Sequence, residues 1–167
     1  MCFLQNLRGL MQKFGSRNIV YFDESGFTAE SYRPHGWAPR GKKVFGSISG
    51  NNRKATNLIM AQRKDEWLAP MLFTGSCHTQ TVNQWLEEML LPELTCPSVI
   101  VMDNARFHNK EQMRAILEKA GHAMLPLPKY SPDFNPIEQS FATIKKRRMF
   151  ADNKNIEAII VSYYKVK

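Results

Sequence analysis

The sequence has no apolar run approaching the ~20 residues that a membrane-spanning helix needs. Its N-terminal stretch has no signal-peptide core either, because Phe3, Leu4, Leu7, Leu10, Met11 and Phe14 recur at helical spacing and are broken by Arg8 and Lys13. Cysteine is sparse. Cys2, Cys77 and Cys96 are odd in number and share no C-x-x-C spacing, which reads as reduced, mostly buried thiols and not as a disulfide framework. His78 beside Cys77 has no second close pair with which to complete a tetrahedral zinc site. Repeats and low-complexity linkers are missing, and 167 residues fit one domain. Acid is also in short supply, with 15 Asp and Glu against 23 Lys and Arg, a formal net charge of +8 and a pI near 9.5. Such a surplus favours a polyanionic partner, and the weakness of the membrane signals turns that preference toward nucleic acid.

What is present can build a core: 43% of the residues are hydrophobic and 11% aromatic. Ile19-Val20-Tyr21-Phe22 is a short β-prone run that ends at Asp23 before the turn-forming Ser25-Gly26. Residues 31–43, rich in Pro, Gly and basic groups, read as a loop. Residues 44–49 and 55–61 read as two strands around Gly50-Asn51-Asn52, with a further strand over 68–73. Val82, Trp85, Leu86, Met89 and Leu90 predict a helix over 80–91 that Pro92 stops. The apolar run 98–102 has the length and character of a strand covered on both faces. Asn109 as N-cap, Gln112 three residues later and Gly121 at the end bracket a helix with Met113, Ile116, Leu117 and Ala120 on one face. A short strand over 123–125 and a proline-punctuated loop follow. A helix then starts at Pro136 with Ile137, Phe141, Ile144 and Arg148 on one side, and residues 155–164 can form a last short helix. Strands first and then alternating helices and strands suggest a mixed sheet with helices on both faces.

Three acids stand where chemistry gathers. Asp23 ends the first strand and Asp103 follows the buried strand, and ligands of open α/β sheets collect at the carboxyl ends of strands. Two carboxylates on adjacent strand ends repel unless a divalent cation lies between them. Mg²⁺ takes oxygen ligands and leaves positions open for phosphate and water, and two ions can clamp the attacking and leaving oxygens of a phosphoryl displacement. Each acid also has an ordinary structural reading. Asp23 in Asp-Glu-Ser-Gly and Asp103 in Asp-Asn fit turn chemistry, and Glu138 occupies a capping-box position behind Asn135 and Pro136.

The block from Val101 to His108, with Asp103-Asn104-Ala105 at its centre, and the later Ser131-Pro132-Asp133-Phe134-Asn135-Pro136-Ile137-Glu138 resemble the signature of DDE transposases. The branch they resemble is the bacterial insertion-sequence group of the mariner-like superfamily. Tyr21-Phe22-Asp23-Glu24-Ser25-Gly26-Phe27 is similar to that family's first acidic motif, and residues 36–41, Gly-Trp-Ala-Pro-Arg-Gly, to the next. Asp103 and Glu138 are 138 − 103 = 35 positions apart, the superfamily's spacing with glutamate third. The resemblance implies an RNase H-like fold, a mixed five-stranded sheet with helices on both faces. It further implies that Asp23, Asp103 and Glu138 converge on two Mg²⁺ ions, for which Mn²⁺ substitutes. Water would hydrolyse the phosphodiester at an element's end, and the freed 3′-hydroxyl would attack target DNA, typically at TA. DNA is then the partner, with a homodimer or pairing with full-length transposase, in a cytoplasmic, nucleoid-associated setting. Family members usually carry helix-turn-helix domains ahead of this one, so residues 1–17 are expected to be a remnant of a linker helix. Residues 18–150 would be the catalytic domain and 151–167 a helical tail. A truncated chain acting as a DNA-binding or dimerising regulator is the alternative.

Lys145, Lys146, Arg147 and Arg148 are either a solvated helix end favoured by the macrodipole or a phosphate track leading to the acids. Arg40, Lys42 and Lys43, with Arg53 and Lys54, would form a second DNA-facing patch, and Trp37 in that loop is a lid or a contact. Asn104 and His108, next to Asp103, could touch phosphate or a metal-bound water, but residues so placed more often orient a ligand or cap the following helix.

Overall fold

The computed structural model of the protein describes residues 2–27, 39–42, 56–105, 108–129, 131–150 and 155–164. Five strands form one sheet: β1 (Ile19–Phe27), β2 (Thr56–Arg63), β3 (Glu66–Thr74), β4 (Val99–Met102) and β5 (Ala123–Pro126), in the order β3-β2-β1-β4-β5. The β1–β2 and β2–β3 pairs are antiparallel, whereas β1–β4 and β4–β5 are parallel, so the sheet is mixed as expected. The strand expected over 44–49 lies outside the described residues. Helices are α1 (Phe3–Phe14), α2, α3 (Lys110–Lys119), α4 (Ile137–Phe150) and α5 (Ile156–Tyr164). Helix α2 is made of three consecutive parts, Thr79–Trp85, a π-helical turn Leu86–Leu90, and Leu91–Glu93. Pro92 therefore does not stop the helix ahead of itself. It has no N–H with which to close an α-turn, and the widened turn just before it absorbs that defect.

The period-2 alternation of the strands sorts the core into two faces. Val20 and Phe22 of β1, Ile59 and Ala61 of β2, and Ile100 and Met102 of β4 point to one side, against Val82, Trp85, Leu86 and Leu90 of α2 and Met113 and Leu117 of α3. Leu58 and Met60 point to the other side, against Ile137, Phe141 and Ile144 of α4 and Ile156, Ile159 and Ile160 of α5. On that second side Ile19, Val99, Val101 and Leu125 are covered by Phe3, Leu7, Leu10, Met11 and Phe14 of α1. Each large apolar side chain so buried contributes about 1.5–3 kcal/mol. The segments flanking residues 18–150 thus pack onto the sheet, α1 over β4–β5 and α5 against α4.

Two local departures from the sequence reading matter for the site. Strand β1 does not end at Asp23 but runs on to Phe27, because Asp23 through Phe27 pair with Met60 through Thr56 of β2. Asp-Glu-Ser-Gly is strand here and not turn. The three cysteines are free, as expected of reduced thiols, but none is fully buried: Cys2 is exposed, Cys77 and Cys96 partly so. No helix among the described residues is long and apolar enough to cross a membrane.

Candidate active site

The parallel register of β1 and β4 sets Tyr21 beside Val101 and Phe22 beside Met102, an offset of 102 − 22 = 80 positions. Carried one residue further, the offset puts Asp23 beside Asp103 (23 + 80 = 103), where the pairing ends. Asp23 shares the face of Ile19 and Tyr21, and Asp103 that of Val99 and Val101, the face that α4 covers. Glu138 lies in the first turn of α4 and is exposed. Three acids distant in sequence are therefore directed to one side of the sheet by strand alternation and helix packing alone.

A cavity of about 700 Å³ opens there, with Asp103, Asn104, His108, Lys110, Asn135 and Glu138 in its wall. Asp23 is not part of that wall but is joined to it, since Asn135 Nδ2 donates to Asp23 Oδ2 at 3.1 Å. Asp23 Oδ1 also accepts the Glu24 N–H at 2.8 Å. Among the described residues no three His, Cys, Asp or Glu side chains form a set able to hold a metal by themselves. The structure thus brings Asp103 and Glu138 to one cavity and tethers Asp23 to its wall, without closing the three into a cage. A larger cleft of about 1190 Å³ lies against the same helix turn, between α1 and the β2–β3 hairpin. It contains none of the three acids, and its Arg63 is already paired with Glu66 at 2.9 Å.

Electrostatics separate the two aspartates. Burial pushes the Asp23 carboxyl up to about 7; the Glu24 N–H opposes this, and the neighbouring Glu24, Asp103 and Glu138 charges add to it. Asp103 is also penalised by burial, but hydrogen bonds from His108 and the Ala105 N–H, with the charges of His108 and Lys110, bring it below the usual carboxylate range. The Ala105 N–H donates to Asp103 Oδ1 at 3.1 Å. His108 itself is held at about 9: burial lowers it, and the Asp103 and Glu24 carboxylates outweigh that. Its Nε2 is 2.9 Å from Glu24 Oε1 and its Nδ1 3.4 Å from Asp103 Oδ1. Glu24 Oε1 also accepts from the Cys77 thiol at 3.9 Å, whose pKa burial and that carboxylate push up to about 12.

Asn104 donates to the Leu127 carbonyl at 3.3 Å and accepts from the Lys110 ammonium, so it ties the loop after β4 to the loop after β5. Asn109, not Asn135, behaves as a helix cap: its side chain accepts the Gln112 N–H at 3.2 Å. Asn135 was expected to cap α4, yet only its backbone carbonyl takes that part, accepting the Glu138 N–H at 3.2 Å. Its side chain turns to Asp23. Sequence reasoning also passed over Glu24, read as part of a turn; its place on a strand facing away from Asp23 is the signal that alternation provides.

Of the basic candidates, Arg40 and Lys42 are exposed in a turn closed by Lys42 N–H to Pro39 O at 3.0 Å. Lys43, Trp37, Arg53 and Lys54 lie outside the described residues. Lys145, Lys146 and Arg147 are exposed and Arg148 half-buried. Lys145 is 145 − 138 = 7 positions from Glu138, about 10 Å along a helix at 1.5 Å per residue. Two of these cations are engaged with rings: Lys145 lies 5.6 Å from the Phe27 ring and Arg147 4.2 Å from that of Tyr163.

The profile of the DDE superfamily endonucleases matches residues 18–160. No curated protein matches the chain. Among solved structures, the Mos1 strand transfer complex is similar with a TM-score of 0.76 at 18% identity, over 99% of this chain and 52% of that one. The Mos1 paired-end complex with Mg gives 0.75 at 19% identity, over 99% and 53%. The catalytic domain of Mos1 mariner transposase gives 0.63 at 17% identity, over 99% and 78%. The fold is thus RNase H-like. The chain spans about half the length of the Mos1 chains in those complexes.

Proposed function

We propose, for a chain that belongs to the DDE superfamily endonucleases, that it is the catalytic domain of a transposase of the bacterial insertion-sequence branch. It would cut DNA at element ends and join the freed 3′-hydroxyl to target DNA, by preference at TA. One observation carries this reading: Asp23 and Asp103 follow in register on neighbouring parallel strands, and Glu138 opens the helix covering the same face.

The donor set suits a hard divalent cation. It is all oxygen, Asp23 is raised toward neutrality by burial and neighbouring acids, and Asp103 and Glu138 share an open cavity. Mg²⁺ is commonly held by one or two carboxylates and keeps its remaining positions for water and substrate phosphate. Asp23, Asp103 and Glu138 would hold two such ions, Mg²⁺ or Mn²⁺ in its place. When bound, these supply a more acidic water and neutralise charge on the phosphodiester. The chain's own groups do the arranging. His108 and the Ala105 N–H fix the Asp103 carboxylate, and Asn104 with Lys110 holds the adjoining loop. Water attacks phosphorus at the element end, the P–O3′ bond breaks, and the departing oxygen takes a proton to become the 3′-hydroxyl. That hydroxyl then attacks a target phosphorus and displaces the target's own 3′-oxygen. Lys145, Lys146, Arg147 and Arg148, with Arg40, Lys42 and Lys43, would contact phosphates and make binding salt-dependent. Assembly as a homodimer or with a full-length transposase, in a nucleoid-associated cytoplasmic setting, belongs to the same reading.

A second reading, a non-catalytic regulator pairing through the shared fold, is favoured by the unclosed acid set among the described residues. Nicking of a labelled element-end duplex with Mn²⁺ separates the two. Wild type is expected to nick and Asp103→Asn to lose at least about 100-fold, as removal of a metal ligand should. Equal nicking by both proteins, or none by folded wild type, rejects the catalytic reading.

A further inference from the structure

Asn135 is buried, with 4% of its surface exposed, yet only its Nδ2 has a partner, Asp23 Oδ2 at 3.1 Å. Its Oδ1 makes no hydrogen bond although it is shut away from bulk solvent. An acceptor left so is costly, and such a cost persists where a function uses the group. With the Asp23 carboxylate ionised, turning the amide over gives no relief, because Oδ1 would then face a carboxylate oxygen, an acceptor against an acceptor. The same residue lines the cavity holding Asp103 and Glu138, and its backbone carbonyl accepts the Glu138 N–H. One asparagine therefore touches the carboxylate of the first acid and the helix start that carries the third.

We propose that Asn135 is a positioning residue of the cation site: its amide N–H fixes Asp23 relative to the start of α4, and its Oδ1 accepts from the hydration shell of the bound cation. This rests on the transposase reading above and deepens it. The consequence is that the buried oxygen gains a partner only when the cation is present. Asn135 should accordingly affect cation affinity as well as the rate of cutting.

The test titrates Mn²⁺ into the purified chain without DNA, following free Mn²⁺ by electron paramagnetic resonance, for wild type, Asn135→Ala and Asp103→Asn. Unfolding midpoints with and without Mn²⁺ accompany each titration. Removing a group that orients metal ligands lowers affinity about 10–100-fold, so Asn135→Ala should bind at least about tenfold more weakly and gain less thermal stabilisation from Mn²⁺. If Asn135→Ala fails to fold, Asn135→Ser, which keeps a hydroxyl near the same point, takes its place and should also bind more weakly. A folded Asn135 variant that binds within twofold of wild type overturns the inference, provided Asp103→Asn has lost binding. If Asp103→Asn binds like wild type, the cation-site reading itself fails, and the inference fails with it.

Discussion

His108 and Glu24, 84 residues apart in the chain, meet at 2.9 Å with the imidazole 1% and the carboxylate 12% exposed. The other ring nitrogen lies 3.4 Å from Asp103. A half-buried carboxylate on one face of β1 is thus linked, through one imidazole, to Asp103 on the other face.

The pair makes metal-free stability depend on pH in a definite direction. His108 is held at about 9, above the usual 6.5, so its contribution is complete below 6.5 and is lost as pH rises through 9. Urea denaturation in EDTA should therefore show wild type weakening between pH 7 and 9.5. Glu24→Gln removes a raising partner and should flatten that decline, at an overall cost of about 1–3 kcal/mol for the disrupted, partly buried contact. A wild-type profile that is flat over this range would refute the charged imidazole.

On the acid side, His122 is the group to watch. Its Nδ1 accepts the Ser98 N–H at 3.1 Å, and burial holds its pKa below the usual 6.5. The unfolded chain then binds the proton more readily, so the stability His122 provides is present above 6.5 and lost as pH falls toward its folded value. Protonation would also set an N–H against the Ser98 N–H. The loss in urea midpoint from pH 7 to pH 5 should be smaller in His122→Gln than in wild type; an equal loss removes His122 from the account.

Trp85 anchors the opposite side of the sheet. It is 1% exposed, and its indole N–H donates at 2.7 Å to the carbonyl of Ala69. That carbonyl belongs to an irregular stretch of β3, where Ala69 has φ of 48° and the register with β2 shifts. Trp85→Phe should cost about 1–3 kcal/mol through the stranded carbonyl. Trp85→Ala should cost about 3–5 kcal/mol through the cavity. Chemical denaturation measures both, and a neutral Trp85→Phe would deny the hydrogen bond any role.

The sequence made the helices legible because their apolar positions recur at 3.6 residues: Met113 and Leu117, and Ile137, Phe141 and Ile144, are buried where the spacing places them. The continuation of β1 was hidden, since Asp-Glu-Ser-Gly has turn propensity and only pairing with β2 overrides it. Asn135 was legible as the residue before a helix but not as a donor to Asp23, 112 positions away. Glu24 and His108 were equally invisible as a pair, because no local pattern encodes contacts across such separations.

The alternation of β1 has an evolutionary corollary. Asp23 and Glu24 are neighbouring acids assigned to opposite faces by parity alone. A single-codon deletion within 19–22 that kept the pairing with β4 would leave the count of carboxylates unchanged but misplace both, the glutamate moving to position 23, the aspartate to the buried place of Phe22, and Ser25 to that of Glu24. Frame-preserving indels here should therefore be purged far more strictly than substitutions between Asp and Glu.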